Sequence, residues 1–443
     1  MRSEQNENFN KRPEQYENFN KRSEQYENFS MRHEQNENSI QDKKSFLMGI
    51  GTGSLITVLA MLIIFMGVSA YARQIRWRGM DPNTKVTEIY ELLNMFSIVP
   101  FDKDVMLENM YRGFLEGVGD PYTQYLCASS LEAFHARHEG AFVGIGVTVF
   151  VEPDDPFITI ASTFAGSPAA EAGILPGDRI TGVDGVEVAG RPREEVVGMI
   201  SGPECTSVSI SIFREHENKR FDVEIIRARV EVPTVFHEMM LTENGTVGYI
   251  RLEGFDRQTS SQFEAAVNEL YTAGMNAIVL DVRNNPGGLL CSVIEITDLL
   301  LPEGIITFTV NAAGRRENFY SDPAHLGLPL VLLVNERSAS ASEVLSGAIR
   351  DTGMGTIVGT QTFGKGVVQN LLYLSDGTAI KLTVQTYHTP NGECIHGIGI
   401  APHIIVEMPD ALSRKIGNLD IEDDVQLQSA LEIVSEKIRT YVQ

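Results

Sequence analysis

Two short stretches hold residues that could do chemistry together. Ser338, Ser340 and Ser342 alternate with alanines just after the apolar run 329–334, and Glu343 follows them. The run is long enough for one strand buried on both faces, and Val344, Leu345, Ala348 and Ile349 then recur at helical spacing. The serines therefore stand at a strand-to-helix junction, where backbone N–H groups of the first helical turn have no internal partner. Such a turn can hold a nucleophile and stabilise an oxyanion. It can equally be a plain helix cap, because Ser340 and Glu343 have capping-box spacing. The second stretch, 359–369, sets Lys365 between Gly364 and Gly366 ahead of strand-like residues. A lysine desolvated in such a loop falls from a pKa of about 10.4 toward about 7 or 8 and can act as a general base.

Other chemistries fit less well. Gly359 and Gly364-Lys365 come near a phosphate-binding P-loop, but Gly366 stands where the magnesium-binding Ser or Thr belongs, and residues 367–374 read as strand where a helix is required. The nine histidines form no His-Glu-x-x-His and the four cysteines no Cys-x-x-Cys, so neither a metal nor a cofactor is expected, and the cysteines read as isolated thiols. A net charge of −23 argues against nucleic acid as a partner.

The run Ser338-Ala-Ser-Ala-Ser-Glu343, then Phe363-Gly-Lys-Gly-x-x-Gln369, resembles the C-terminal processing peptidases, also called tail-specific proteases. The resemblance implies a serine endopeptidase with a Ser-Lys dyad. It makes Ser340 the nucleophile, Lys365 the general base, Gln369 the residue that orients the lysine, and the Ala341 amide one oxyanion donor. The turn Arg283-Asn-Asn-Pro-Gly-Gly288 would supply the second donor, since paired glycines let backbone approach a substrate carbonyl closely. By the resemblance that donor is Gly287 or Gly288, with Gly288 preferred. Asn285-Pro-Gly-Gly288 is not the Asn-Ser-Gly-Gly of trypsin-like proteases, because Pro286 carries no hydroxyl.

Around this centre the chain divides. Residues 1–44 are mostly four imperfect copies of a ten-residue unit rich in Glu, Asn, Gln and Arg, too polar to bury a core. Residues 45–72 contain no charge and are long enough to span a bilayer, and they read as an uncleaved anchor; Ala70-Tyr-Ala72 keeps a cleaved signal peptide as the competing reading. Apolar spacing predicts helices over 84–135, the second of them closed by Gly119-Asp-Pro-Tyr122. A β-rich module, 140–229, resembles a PDZ domain, most specifically in Ser167-Pro-Ala through Pro176-Gly-Asp178. By analogy Gly144, Ile145, Gly146 and Val147 line its peptide groove; as bare sequence they are also an ordinary β-turn.

The core, 231–408, opens with the strand Val247-Gly-Tyr-Ile-Arg-Leu252 and continues strand-helix-strand, which implies a parallel crossover. A helical segment, 409–443, follows. The family commonly has Pro-Asp before its last strand, where this chain has Pro402-His403. The fold class implied is a multidomain α+β protein: N-terminal helices, a PDZ domain and an α/β protease core of the ClpP/crotonase-like type, preceded by a transmembrane helix. The expected function is a single-pass, membrane-anchored endopeptidase, its catalytic part outside the cytoplasm, acting on proteins with accessible C-termini. Homo-oligomerisation is left open. The alternative is a catalytically silent PDZ scaffold.

Overall fold

The computed structural model describes residues 82–152, 155–413 and 415–442. The ten-residue repeats and the apolar stretch 45–72 lie outside the described residues, among which no helix is long and apolar enough to cross a membrane. Two compact units are present. The first, ending at Met110, holds α1 (Pro82–Phe96) and the opening turns of α2 (Lys103–Glu116). Within it the Tyr90 and Phe101 rings meet edge-on at 6.1 Å.

The second unit begins with β1 (Gln124–Leu126), α3 (Ala128–Glu139) and β2 (Ala141–Gly144). A β-rich module follows, made of β3 (Val147–Val151), β4 (Ile158–Thr163), α4 (Pro168–Glu171), β5 (Arg179–Val183), β6 (Val186–Glu187), α5 (Arg193–Ile200), β7 (Ser207–Arg214) and β8 (Lys219–Ile226). Its antiparallel sheet runs β3-β4-β5-β7-β8, with β6 folded onto β5 through the Asp184-Gly185 turn. Isoleucines 158, 160, 180, 210 and 212 form a dry core with Val196 and Ile200 of α5. Asp178 fixes the Pro-Gly-Asp turn: it accepts the Leu175 N–H at 2.9 Å and takes both Nε and Nη2 of Arg214 at 2.8 Å. β9 (Ala228–Glu231) pairs with β2 and hands the chain to the core.

There β10 (Val235–Thr242) and β11 (Gly245–Leu252) make a hairpin, and α6 (Thr259–Thr272) crosses to β12 (Ala277–Asp281), parallel to β11 as expected. After α7 (Leu290–Leu300), β13 (Gly304–Asn311) and β14 (Arg316–Ser321) leave for another sheet. The chain returns through β15 (Leu330–Val334), α8 (Ala341–Thr352) and β16 (Gly355–Gly359). β17 (Val367–Tyr373) and β18 (Ala379–His388) join β13, β14 and β1 in the other sheet. The last elements are β19 (Ile404–Ile405), α9 (Asp410–Ser413) and α10 (Val425–Val442).

The core sheet runs β10-β11-β12-β15-β16-β19, parallel after its first pair. β12 and β15 are buried at every position, as strands covered on both faces must be. The five aliphatic residues of β15 contribute roughly 2 kcal/mol apiece by burial. One covering layer is α10, whose Leu427, Ala430, Val434 and Ile438 pack on Val279, Val331 and Leu333. The segment 409–443 is thus a layer of the core. At the far edge His403 stands where the resemblance led one to expect Asp. Its Nδ1 accepts the Ile357 N–H at 2.9 Å and its own N–H donates to the Ile357 carbonyl at 2.9 Å, so the imidazole supplies the acceptor that a carboxylate would.

Register decides where chemistry can happen. Asp281 stands opposite Leu333, and Val334 opposite Gly359. β12, β15 and β16 therefore end level, and the turns after them leave side by side from the carboxyl ends of parallel strands, the usual ligand-binding edge of such a sheet. A buried ion cluster fixes the first turn. Arg283 gives Asp281 its Nε at 3.0 Å and Nη2 at 2.7 Å, and Asp424, just before α10, its Nη1 at 2.7 Å and Nη2 at 2.8 Å. The Tyr249 hydroxyl adds a bond to Asp281 at 2.8 Å. Replacing Arg283 by Met leaves two carboxylates buried without their cation. The expected loss is about 3–5 kcal/mol, read as a lowered midpoint of urea unfolding.

Candidate active site

Three serines enter the turn after β15, and their surroundings differ. The Ser338 hydroxyl donates to the Val282 carbonyl at 2.7 Å, and that of Ser342 to the Asn285 carbonyl at 3.0 Å. Both side chains tie the serine turn to the neighbouring 283–288 turn. Ser340 is the one of the three that lines the adjacent cavity of about 710 Å³. It does so from a backbone with φ 56° and ψ −113°, a conformation that costs a residue with a Cβ of order 1–3 kcal/mol.

Glu343 holds that turn in place. Its Oε2 accepts the Ser340 N–H at 2.8 Å, as the capping-box spacing predicts. The same carboxylate also takes the Thr362 hydroxyl and the Gly364 N–H at 2.6 Å each on Oε1, and the Lys365 N–H at 2.8 Å on Oε2. A fully buried anion with four donors thus joins the turn after β15 to the loop after β16. Gly366 completes the loop: a Cβ there would sit 2.3 Å from the His396 backbone nitrogen. The loop runs into β17 and not a helix, and its amides are turned to Glu343, so the P-loop reading fails on geometry.

Lys365 projects into the same cavity as Ser340. Burial, reinforced by repulsion from Lys381, pulls its ammonium below the ordinary lysine range, against weaker opposing pulls from Glu343 and Asp120. Its Nζ lies 5.0 Å from the centre of the Tyr122 ring. Tyr122 belongs to the Asp-Pro-Tyr turn that the sequence offers only as a helix stop; nothing in its local pattern marks it as a neighbour of the lysine. Gln369 also lines the cavity, and its Nε2 donates to the Val367 carbonyl at 3.2 Å.

The 283–288 turn closes the other side. A Cβ on Gly287 would meet Ser340 Cβ and the Ala341 nitrogen at 2.8 Å, so only glycine lets the two turns touch. The Gly287 N–H is spent on Asn285 Oδ1 at 2.8 Å. Among the described residues the N–H groups of Gly288 and Ala341 have no acceptor, which leaves them as the two amides able to meet an oxyanion.

The expected peptide-groove residues lie in the β-rich module. Gly144 ends β2 and Val147 opens β3, which among the described residues has β4 as its only strand partner. Between them the Ile145 carbonyl accepts the Ala169 N–H at 2.8 Å, and the Gly146 carbonyl the Phe164 N–H at 3.0 Å and the Ser167 hydroxyl at 3.1 Å. The turn is pinned by its carbonyls while the edge of β3 stays open.

Peptidase family S41 matches residues 246–406, and a PDZ domain matches residues 160–214. The carboxy-terminal-processing protease of Bartonella bacilliformis is 36% identical over 344 residues, 75% of this chain and 76% of that protein. The carboxyl-terminal-processing protease of Synechocystis is 36% identical over 323 residues, 72% of this chain and 75% of that protein. Among solved structures, the photosystem II D1 C-terminal processing protease shares 28% identity with a TM-score of 0.43, covering 76% of this chain and 92% of that one.

The Glu343 bridge is directly testable. Glu343→Gln turns an amide donor toward N–H groups that need an acceptor, and it should cost about 2–4 kcal/mol in urea unfolding. Hydrolysis of an unfolded protein by the fraction still folded should fall as well, because the two loops lose their common anchor. Glu343→Asp, too short to reach both loops, should do the same.

Proposed function

The chain belongs to peptidase family S41 and is a serine-type protease, and from that premise we propose that it cleaves proteins captured by their C-terminal tails, with Ser340 as nucleophile and Lys365 as general base. The observation that carries this reading is the Glu343 carboxylate, which bonds the backbone of both residues and so sends both side chains into one cavity. In the proposed reaction the neutral Lys365 amine takes the Ser340 proton as Oγ attacks the scissile carbonyl. The Ala341 and Gly288 amides hold the oxyanion. The lysine then gives its proton to the leaving amine, and water hydrolyses the acyl ester with the same base.

Gln369 fits a supporting role. With its Nε2 on the Val367 carbonyl, its amide oxygen is the end left to accept from Lys365 and steer the amine. Tail capture fits the open edge of β3, where a peptide adds as one more strand with its carboxylate toward the 144–147 turn. The uncharged stretch 45–72 supports a membrane tether; a proteolytic part beyond the cytoplasm rests on the family resemblance alone. The silent-scaffold alternative is not favoured, since the chain's relatives at 36% identity carry the name of processing proteases.

Two measurements test the dyad. Ser340→Ala and Lys365→Met should each lower hydrolysis of an unfolded protein by about 10⁴-fold or more, with urea midpoints showing that the fold survives; a wild-type rate in either variant would sink the assignment. The pH profile gives the second check. The ammonium form cannot accept a proton, so kcat/KM should rise with pH along a limb set by Lys365. Because burial and Lys381 depress that ionisation, the limb should have its midpoint below the free-lysine value of about 10.4.

A further inference from the structure

The cavity holds more charge than a serine and a lysine require. Besides Lys365 its lining includes two cations, Arg137 near the end of α3 and Lys381 on β18, and two carboxylates, Glu253 and Asp256. The carboxylates are occupied. Glu253 is bonded by Arg251, and Asp256 Oδ1 accepts the Gln258 N–H at 2.8 Å, the Thr259 N–H at 3.0 Å and the Thr259 hydroxyl at 2.9 Å.

The cations are not. Among the described residues, neither Arg137 nor Lys381 has a carboxylate within ion-pair distance. Glu139, two residues beyond Arg137, is turned to Arg229 at 3.6 Å and Arg257 at 3.3 Å. Asp120, the acid whose field reaches Lys381, is bonded to the Thr123 hydroxyl at 2.6 Å and the Tyr122 N–H at 3.0 Å. His138, on the same wall, has its Nδ1 2.8 Å from the Phe134 carbonyl. Half-buried Lys381 is held below the ordinary lysine range by burial and then by Arg137, against a weaker opposing pull from Asp120, as expected of two cations facing one space.

Their place relative to the dyad follows from register. Lys381 stands opposite Leu371, and Thr383 opposite Gln369, in the β17–β18 ladder. Directly opposed residues share a face, so Lys381 lies on the face that carries Gln369, one step of about 7 Å further along the strands. A peptide whose scissile bond is at Ser340 can therefore bring a group a few residues away to Lys381.

We propose that Lys381 and Arg137 form an anion subsite of the cleavage cavity, so that the enzyme prefers substrates bearing a carboxylate within a few residues of the scissile bond. This rests on the proteolytic reading above. The carboxylate could be an Asp or Glu side chain or the C-terminus of the tail itself; both offer the same two-oxygen acceptor to a cation. The chain as a whole is strongly anionic, so these two cations stand out against its net charge.

The test uses the full chain and quenched fluorescent peptides ending in an amide, with one Asp moved through four positions on each side of the cleaved bond and matched by Asn. A parallel pair ends in a free carboxylate. An Asp advantage of about tenfold in kcat/KM is expected at one or two adjacent positions, or the same advantage for the free acid over the amide if the terminus is the source. In Lys381→Met and Arg137→Met the advantage should shrink toward unity, and Lys381→Glu should favour Lys over Asp at that position. If Lys381 merely tuned Lys365, all peptides would slow together and the ratio would stay. No carboxylate advantage at any position in the wild type, or an advantage that survives both Met variants, overturns the proposal. If the wild type cleaves none of the peptides, the protease reading fails instead; the Asp-to-Asn ratio of binding, by fluorescence anisotropy of the amidated pair, then decides the subsite by the same criterion.

Discussion

One buried carboxylate sets the geometry of the whole site. Glu343 is fully buried, and a buried anion is tolerable only when its lone pairs are filled. The donors that fill them come from two loops that are separate in sequence: Ser340 on one side, Thr362, Gly364 and Lys365 on the other. Neither loop can move without leaving either the anion or its own amides unsatisfied. The requirement that makes Glu343 costly to bury is what keeps a hydroxyl and an amine at one cavity.

That bridge works because the sheet has already brought the loops close. β12, β15 and β16 end level, and each successive strand delivers one turn to the same edge: the glycine turn, the serine turn, the lysine loop. Arg283 locks the first of these to Asp424, so α10 reaches the site through a buried ion cluster and not only as a hydrophobic layer. Ser338 and Ser342 knit the first turn to the second. The strained backbone of Ser340 is then over-determined from three directions, the condition under which such strain persists in a folded protein.

What the sequence made legible was local. The all-apolar 330–334 and the helical spacing after Glu343 each have short-range causes, and each is where pattern placed it. The Ser-x-x-Glu spacing was legible too, but only as half of what Glu343 does, since three of its four donors lie some twenty residues downstream. Tyr122 and Lys381 were illegible as site residues. They enter through β1 and β18, strands of a second sheet whose pairings join Gln124 to Lys381 and Leu371 to Lys381. No hydrophobic period encodes such long-range pairing. His403 shows the converse: at a departure from the family pattern, imidazole Nδ1 accepts the Ile357 N–H and ties the last strand to β16.

A lysine whose ionisation is lowered in the field of a carboxylate needs an explanation, because an anion nearby favours the ammonium form. Glu343 does pull in that direction, as does Asp120. Both are blunted by their bonding. The four donors on Glu343, three of them backbone amides, offset its charge locally, and Asp120 is turned to Thr123 and Tyr122. Burial and the charge of Lys381 outweigh both. The cations left unpaired in the cavity therefore have two consequences: Lys381 favours the basic form of Lys365, and together with Arg137 it leaves a place that an incoming carboxylate can fill. Filling it would offset the repulsion that Lys381 exerts on Lys365, so anion binding lowers the share of Lys365 in its basic form.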